Sequence, residues 1–183
     1  MGNSTALPVI DVQVCNFEDP APVHARNGLL AGISGLITRA RASGVSVVYV
    51  QHCGLEGTVD QPGTPGWRVH PAVAPVKGDV VVQEHHPDAF QATNLQRELE
   101  SKGIRRLIVT GVQTEYCVDT TCRRAYSLGY DVTLVKDAHS TWDTDHLSAP
   151  QIIVHHNHML GGWFAELKEA NEIDFDYVSS RVS

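Results

Sequence analysis

Three side chains stand where a reaction could be run: Asp11, Glu84 and Cys117. Asp11 closes the apolar run Leu7–Val12, Glu84 follows Val80–Val82, and Cys117 opens an amphipathic segment after Arg106–Thr110. A cysteine in the first turn of a helix feels the positive end of the backbone dipole, which favours the nucleophilic thiolate. A carboxylate beside it can take the thiol proton and later hand it to a leaving group. On residue type alone a buried, inert cysteine fits position 117 as well, because cysteine is among the most buried residues.

The elements that must position these groups are legible as alternating periods. Leu7–Val12, Val45–Val50, Val80–Val82, Arg106–Thr110 and Asp131–Val135 are short β-branched runs that predict strands. Between them, His24–Ser43 carries Leu29, Ile33, Leu36, Ile37 and Ala40 at helical spacing and stops at Gly44. Further helices are expected over Thr93–Lys102, Glu115–Leu128 and His146–Leu160, the last with Pro150 in its first turn, where proline is tolerated. A Gly/Pro-rich loop runs from Cys53 to Gly78, a length more often functional than idle. The tail, Asn171–Ser183, has room for one more short strand. This alternation predicts one α/β domain over residues 1–183, a Rossmann-like three-layer sandwich with a parallel sheet covered on both faces. Chemistry in such sheets collects at the carboxyl ends of the strands.

Composition narrows the function. The chain has 183 residues, 21 acidic against 14 basic, for a net charge of −7, and 42% hydrophobic residues. That is ordinary globular composition, long enough to bury a core without staples. The acidic balance, with no basic run, argues against nucleic-acid or anionic-membrane partners. No signal-like leader or membrane-length apolar run is present, so a cytoplasmic protein with reduced thiols is expected. The four cysteines match no zinc or CxxC spacing, and Cys15, Cys53 and Cys122 read most simply as small buried hydrophobes.

The segment around the nucleophile, Leu107–Val118, resembles that of the isochorismatase-like cysteine hydrolases, the superfamily that includes nicotinamidases. Ile10–Gln13 with Phe17 resembles the family's opening motif. Val82–Leu95, with Pro87–Phe90 and Thr93–Leu95, is similar to its central motif, and Asp137–Thr141 and Ile152–Asn157 to its later ones. The likeness runs in order from Leu7 to Phe164. It implies a six-stranded parallel sheet, a homo-oligomer (dimer or tetramer), no cofactor, and a triad of Asp, Lys and Cys. Asp11 takes the acid position and Cys117 the nucleophile position. The resemblance further implies a cis peptide at Val112–Gln113, aiming the backbone amides of Gln113 and Cys117 at a developing oxyanion.

The third triad position departs from the pattern. Counting back six residues from Phe90 lands on Glu84 where the family places lysine, and the four lysines (Lys77, Lys102, Lys136, Lys168) all lie outside the motif. Two carboxylates in one pocket tend to share a proton. The expectation is that Glu84 holds it while Asp11 stays the base, with His85 or His86 supplying positive charge. No catalytic metal is expected: where metal-dependent nicotinamidases carry an Asp-x-His pair, this chain has Gln51 and Cys53. His155, His156 and His158 do not share one helical face and read as polar helix residues. Phe17, Trp67, Tyr116 and Trp142, near predicted strand ends, and His139 are candidates to contact substrate, with core packing the alternative for each.

The expected function is hydrolysis of a C–N bond in a small amide, lactam or carbamoyl compound through a thioester. Two rivals remain. One is vinyl-ether hydrolysis of the isochorismate type, driven by the acid at Asp11. The other is a non-catalytic small-molecule binder or redox-sensing thiol protein on the same scaffold.

Overall fold

A computed structural model describes residues 4–175. Six strands form one parallel sheet in the order β3-β2-β1-β4-β5-β6. They are β1 (Thr5–Ile10), β2 (Ser46–His52), β3 (Val80–Glu84), β4 (Arg106–Val112), β5 (Asp131–Ser140) and β6 (Glu166–Lys168). The helices are α1 (Arg26–Ala42), α2 (Leu95–Ser101), α3 (Asp119–Ser127) and α4 (Ala149–Leu160).

Strand alternation divides the core in two. Leu7, Val9, Val47 and Tyr49 face α1 through Leu29, Ile33, Leu36 and Ile37. Ala6, Ile10, Val48 and Val50 face the opposite layer, where Leu95 and Leu99 of α2 meet Cys122 and Ala125 of α3. With both faces covered, the central strands need unbroken apolar runs; β1 and β4 are buried at every position. The sixth strand lies at Glu166–Lys168, ahead of the tail segment where a further strand had room. Of that segment, Asn171 and Glu172 belong to a 3-10 turn, and the tail beyond Phe175 lies outside the described residues. No helix among the described residues is long and apolar enough to cross a membrane.

Strand order reverses between β1 and β4, so the chain leaves these neighbours in opposite directions and opens a crevice at their carboxyl ends. Gly111 permits that close pairing. Its φ is +129°, and a Cβ there would stand 2.1 Å from the Ile10 carbonyl oxygen. The segment after β4 differs from the expected helix: Thr114–Val118 forms a π-helical turn closed by Val118 N–H on the Gln113 carbonyl (3.1 Å), and α3 starts only at Asp119.

Candidate active site

Asp11, immediately after β1, adopts the left-handed conformation (φ 49°), one of the few places outside glycine where a short polar residue is tolerated. Its amide donates to the Val50 carbonyl (2.9 Å), and the Asp11 carbonyl accepts from Asn16 Nδ2 (2.8 Å). Cys117 projects from the π-helical turn. Glu84 ends β3, directly paired in register with His52 at the end of β2. One side-chain donor atom from each of Asp11, Glu84 and Cys117 lies within 4.8 Å of the others. These are also the described residues whose atoms converge closely enough to hold a metal ion; His155, His156 and His158 do not.

Asp11 and Cys117 line a cleft of about 280 Å³ together with His52, Asp60, Gln113 and Tyr116. A larger groove, about 1020 Å³, lies near Arg106 and Asp131 at the amino ends of β4 and β5, away from these groups. The Val112–Gln113 peptide is cis, and the Gln113 backbone lies close enough to the Cys117 sulfur to oppose the rise of its pKa.

The electrostatics differ from the sequence expectation in three respects. Burial, then the charge of Asp11, pushes the Cys117 thiol far up, so the resting group is a thiol and not the thiolate expected from a helix dipole. Cys117 does sit in the first turn of a continuous helical run, Thr114–Val118 followed by Asp119–Ser127, but burial and two carboxylates oppose its ionisation. The retained proton also moves. Burial, then the charge of Glu84, pushes Asp11 up to about 7, and its Oδ1 is buried with no hydrogen-bond partner. Glu84 accepts from His52 Nδ1 (2.8 Å) and from the His86 backbone amide. Finally, the positive charge comes from His52 and not from the rings of His85 or His86. The hydrogen bond to Glu84 raises the His52 pKa above 6.5. The His85 ring meets the Cys53 carbonyl (3.1 Å).

Of the other candidates, Tyr116 and Trp142 line the cleft, and the Trp142 indole is fixed by donating to the Ala21 carbonyl (2.7 Å). Phe17 is not in the cleft; it is buried in the α1-side core against His70. Trp67 contributes its carbonyl, which accepts from Gln13 (2.9 Å) and Gln51 (2.8 Å), tying the long loop to the ends of β1 and β2. His139 is buried and held neutral, its pKa lowered to about 4 by burial. It joins Thr114 Oγ1 (2.9 Å) to Asn157 Oδ1 (3.0 Å), which places it beneath the turn that carries Cys117 and out of reach of substrate. Cys15 lines the cleft, whereas Cys53 and Cys122 are buried as expected.

Sequence reasoning passed over His52, Asp60, Gln13 and Asn16. His52 could have been found by the rule that singled out Glu84, since it too ends a strand; Asp60, inside an irregular loop, gave no such signal.

Comparison with known proteins gives the family and the fold. The model of the Isochorismatase domain matches residues 5–152. Streptothricin hydrolase of Streptomyces noursei is 40% identical over 147 residues, covering 80% of this chain and 52% of that protein. The chain thus spans about half the length of that relative. Ureidoacrylate amidohydrolase RutB of Variovorax paradoxus is 28% identical, covering 74% of this chain and 68% of that one. Among solved structures, an isochorismatase from Pseudomonas putida KT2440 superposes with a TM-score of 0.88 at 30% identity, covering 94% of this chain and 91% of that one. A cysteine hydrolase from Pseudomonas syringae pv. phaseolicola gives 0.87 at 26% identity, covering 92% and 90%.

Proposed function

The chain belongs to the isochorismatase family, and from that premise we propose that it is a hydrolase opening a C–N bond of a small amide, lactam or carbamoyl compound through a thioester on Cys117. The observation that carries this reading is the partly buried thiol facing the Asp11 carboxylate in one cleft, with the Gln113 backbone near the sulfur. Two relatives named for cleaving streptothricin and ureidoacrylate support the bond class.

Above pH 7 Asp11 is an anion and accepts the thiol proton as the sulfur attacks the carbonyl carbon. The oxyanion rests on the backbone amides of Gln113 and Cys117. Collapse breaks the C–N bond, and the amine leaves with the proton from Asp11. Water then attacks the thioester, giving its proton to Asp11, and the acid departs as the thiol is restored. The imidazolium of His52, held by Glu84, offsets the two carboxylates where the family pattern has lysine. Neither metal nor cofactor takes part in these steps.

Intact-mass spectrometry after incubation with a panel of small amides tests the proposal. An acyl adduct mapping to Cys117 and lost in Cys117→Ala is expected; turnover without any adduct, undiminished in that variant, would overturn it. A second reading draws on Asp11 holding its proton up to about pH 7, which suits a general acid for vinyl-ether cleavage without a covalent step. Under that reading Cys117→Ala weakens turnover and does not abolish it.

A further inference from the structure

The cleft that replaces lysine with glutamate has no lysine or arginine among its described lining residues. Its anions are Asp11 and Asp60 at the surface of the cleft and Glu84 beneath, against the single imidazole of His52. With the proton on Asp11, two carboxylates still face one imidazolium; with it removed, three do. We propose that the substrate brings the missing cation: the cleft takes amides bearing an ammonium or amidinium group, and Asp60 receives that group. The inference rests on the hydrolase reading of the same cleft and deepens it by naming the substrate class.

Asp60 is placed by the chain itself. The Gly54 amide donates to the Asp60 carbonyl (3.0 Å). A Cβ on Gly54 would lie 2.0 Å from Asp60 Oδ1, so the absence of a side chain at 54 is what makes room for the carboxylate. The nearest positive group is His52 Nε2 at 3.8 Å from Oδ2, too far for a hydrogen bond, and the Asp60 side chain keeps 28% of its exposure. A carboxylate so held, aimed into a cleft and left without a hydrogen-bonding cation, is an acceptor for one.

Asp11 points the same way independently. It is only 4% exposed and lines the cleft, yet its Oδ1 has no partner. Buried acceptors are rarely left unsatisfied, so a donor brought to this carboxylate from the cleft would relieve it. The Tyr116 and Trp142 rings complete the lining, and aromatic faces attract ammonium and guanidinium groups while doing nothing for anions. A neutral amide could offer its N–H to Asp11 but would leave Asp60 and the aromatic faces unused; a cationic amide uses all three features.

The test measures the potential at the sulfur without requiring the natural substrate. The whole protein is treated with three methanethiosulfonates of one reactive type: aminoethyl (cationic), methyl (neutral) and sulfonatoethyl (anionic). Peptide mass spectrometry follows Cys117 alone, because Cys15 opens on the same cleft. The expected result is a cationic-to-anionic rate ratio at Cys117 roughly tenfold or more above that of free cysteine, shrinking in high salt. In Asp60→Asn that ratio, in which any general change of thiol reactivity cancels, falls about threefold or more. A ratio no greater than that of free cysteine would overturn the proposal, and an unchanged ratio in Asp60→Asn would remove Asp60 from it. A Cys117 that reacts with none of the three reagents would overturn the hydrolase reading itself, and this inference with it.

Discussion

The two halves of the cleft are built by different means. On the β1–β4 side, backbone conformation does the positioning. Asp11 sits in a left-handed turn, Gly111 lets two strands close up, and a π-helical turn presents Cys117 above the Thr114–His139–Asn157 chain. On the β2–β3 side, side chains position each other. His52 and Glu84 are register partners on neighbouring strands, and Asp60 reaches in from a loop. In the proposed mechanism the first half supplies the atoms that react, while the second sets the charge around them and receives the substrate's cation. Breaking the first half should therefore abolish chemistry, and altering the second should move its pH dependence.

The largest effect expected is for Cys117→Ala. If the sulfur is the nucleophile, kcat for amide cleavage falls by roughly 10³-fold or more. Steady-state kinetics on whichever amide acylates the protein measures it. A loss of tenfold or less would place Cys117 with the charge-setting half.

Next comes Asp11→Asn, read as stability. The folded pKa of Asp11 is raised from 3.8 to about 7, so its contribution is fully present below 3.8 and is lost as pH rises through about 7. Wild type should lose roughly 2–3 kcal/mol between pH 5 and pH 8 from this group, and the asparagine variant should not. Urea denaturation at the two pH values gives the difference. Equal losses in the two proteins would mean that the carboxylate is not held in a charge-disfavouring site.

How far the sequence carried each half follows from the same contrast. The β1–β4 half is written in contiguous stretches: Ile10–Gln13 and Leu107–Val118 hold the acid, the turn glycine and the nucleophile within a few residues, and the alternation of strands and helices sets them side by side. The β2–β3 half depends on pairing across 32 residues of separation, and no local pattern states that His52 will meet Glu84. Reading Glu84 beside its sequence neighbours His85 and His86 therefore picked the wrong histidine. The raised pKa of Asp11 was not legible for a related reason, since burial is its main cause, and the contacts that satisfy Glu84 and leave Asp11 Oδ1 without a partner are tertiary.

Glu84→Gln sharpens the contrast with the smallest effect. Glu84 is the leading cause that raises His52 and, after burial, the second that raises Asp11. Removing its charge lowers both. Asp11 then becomes a competent base at lower pH, and His52 loses its positive charge at lower pH. Both limbs of the kcat/KM profile should shift toward acid together, so that the variant gains on wild type below about pH 7 and falls behind it on the alkaline side. The two curves cross. A residue that merely packs beneath the cleft would lower the profile at every pH and leave its limbs in place; crossing is the signature of a carboxylate that acts on the reacting groups only through the field it sets.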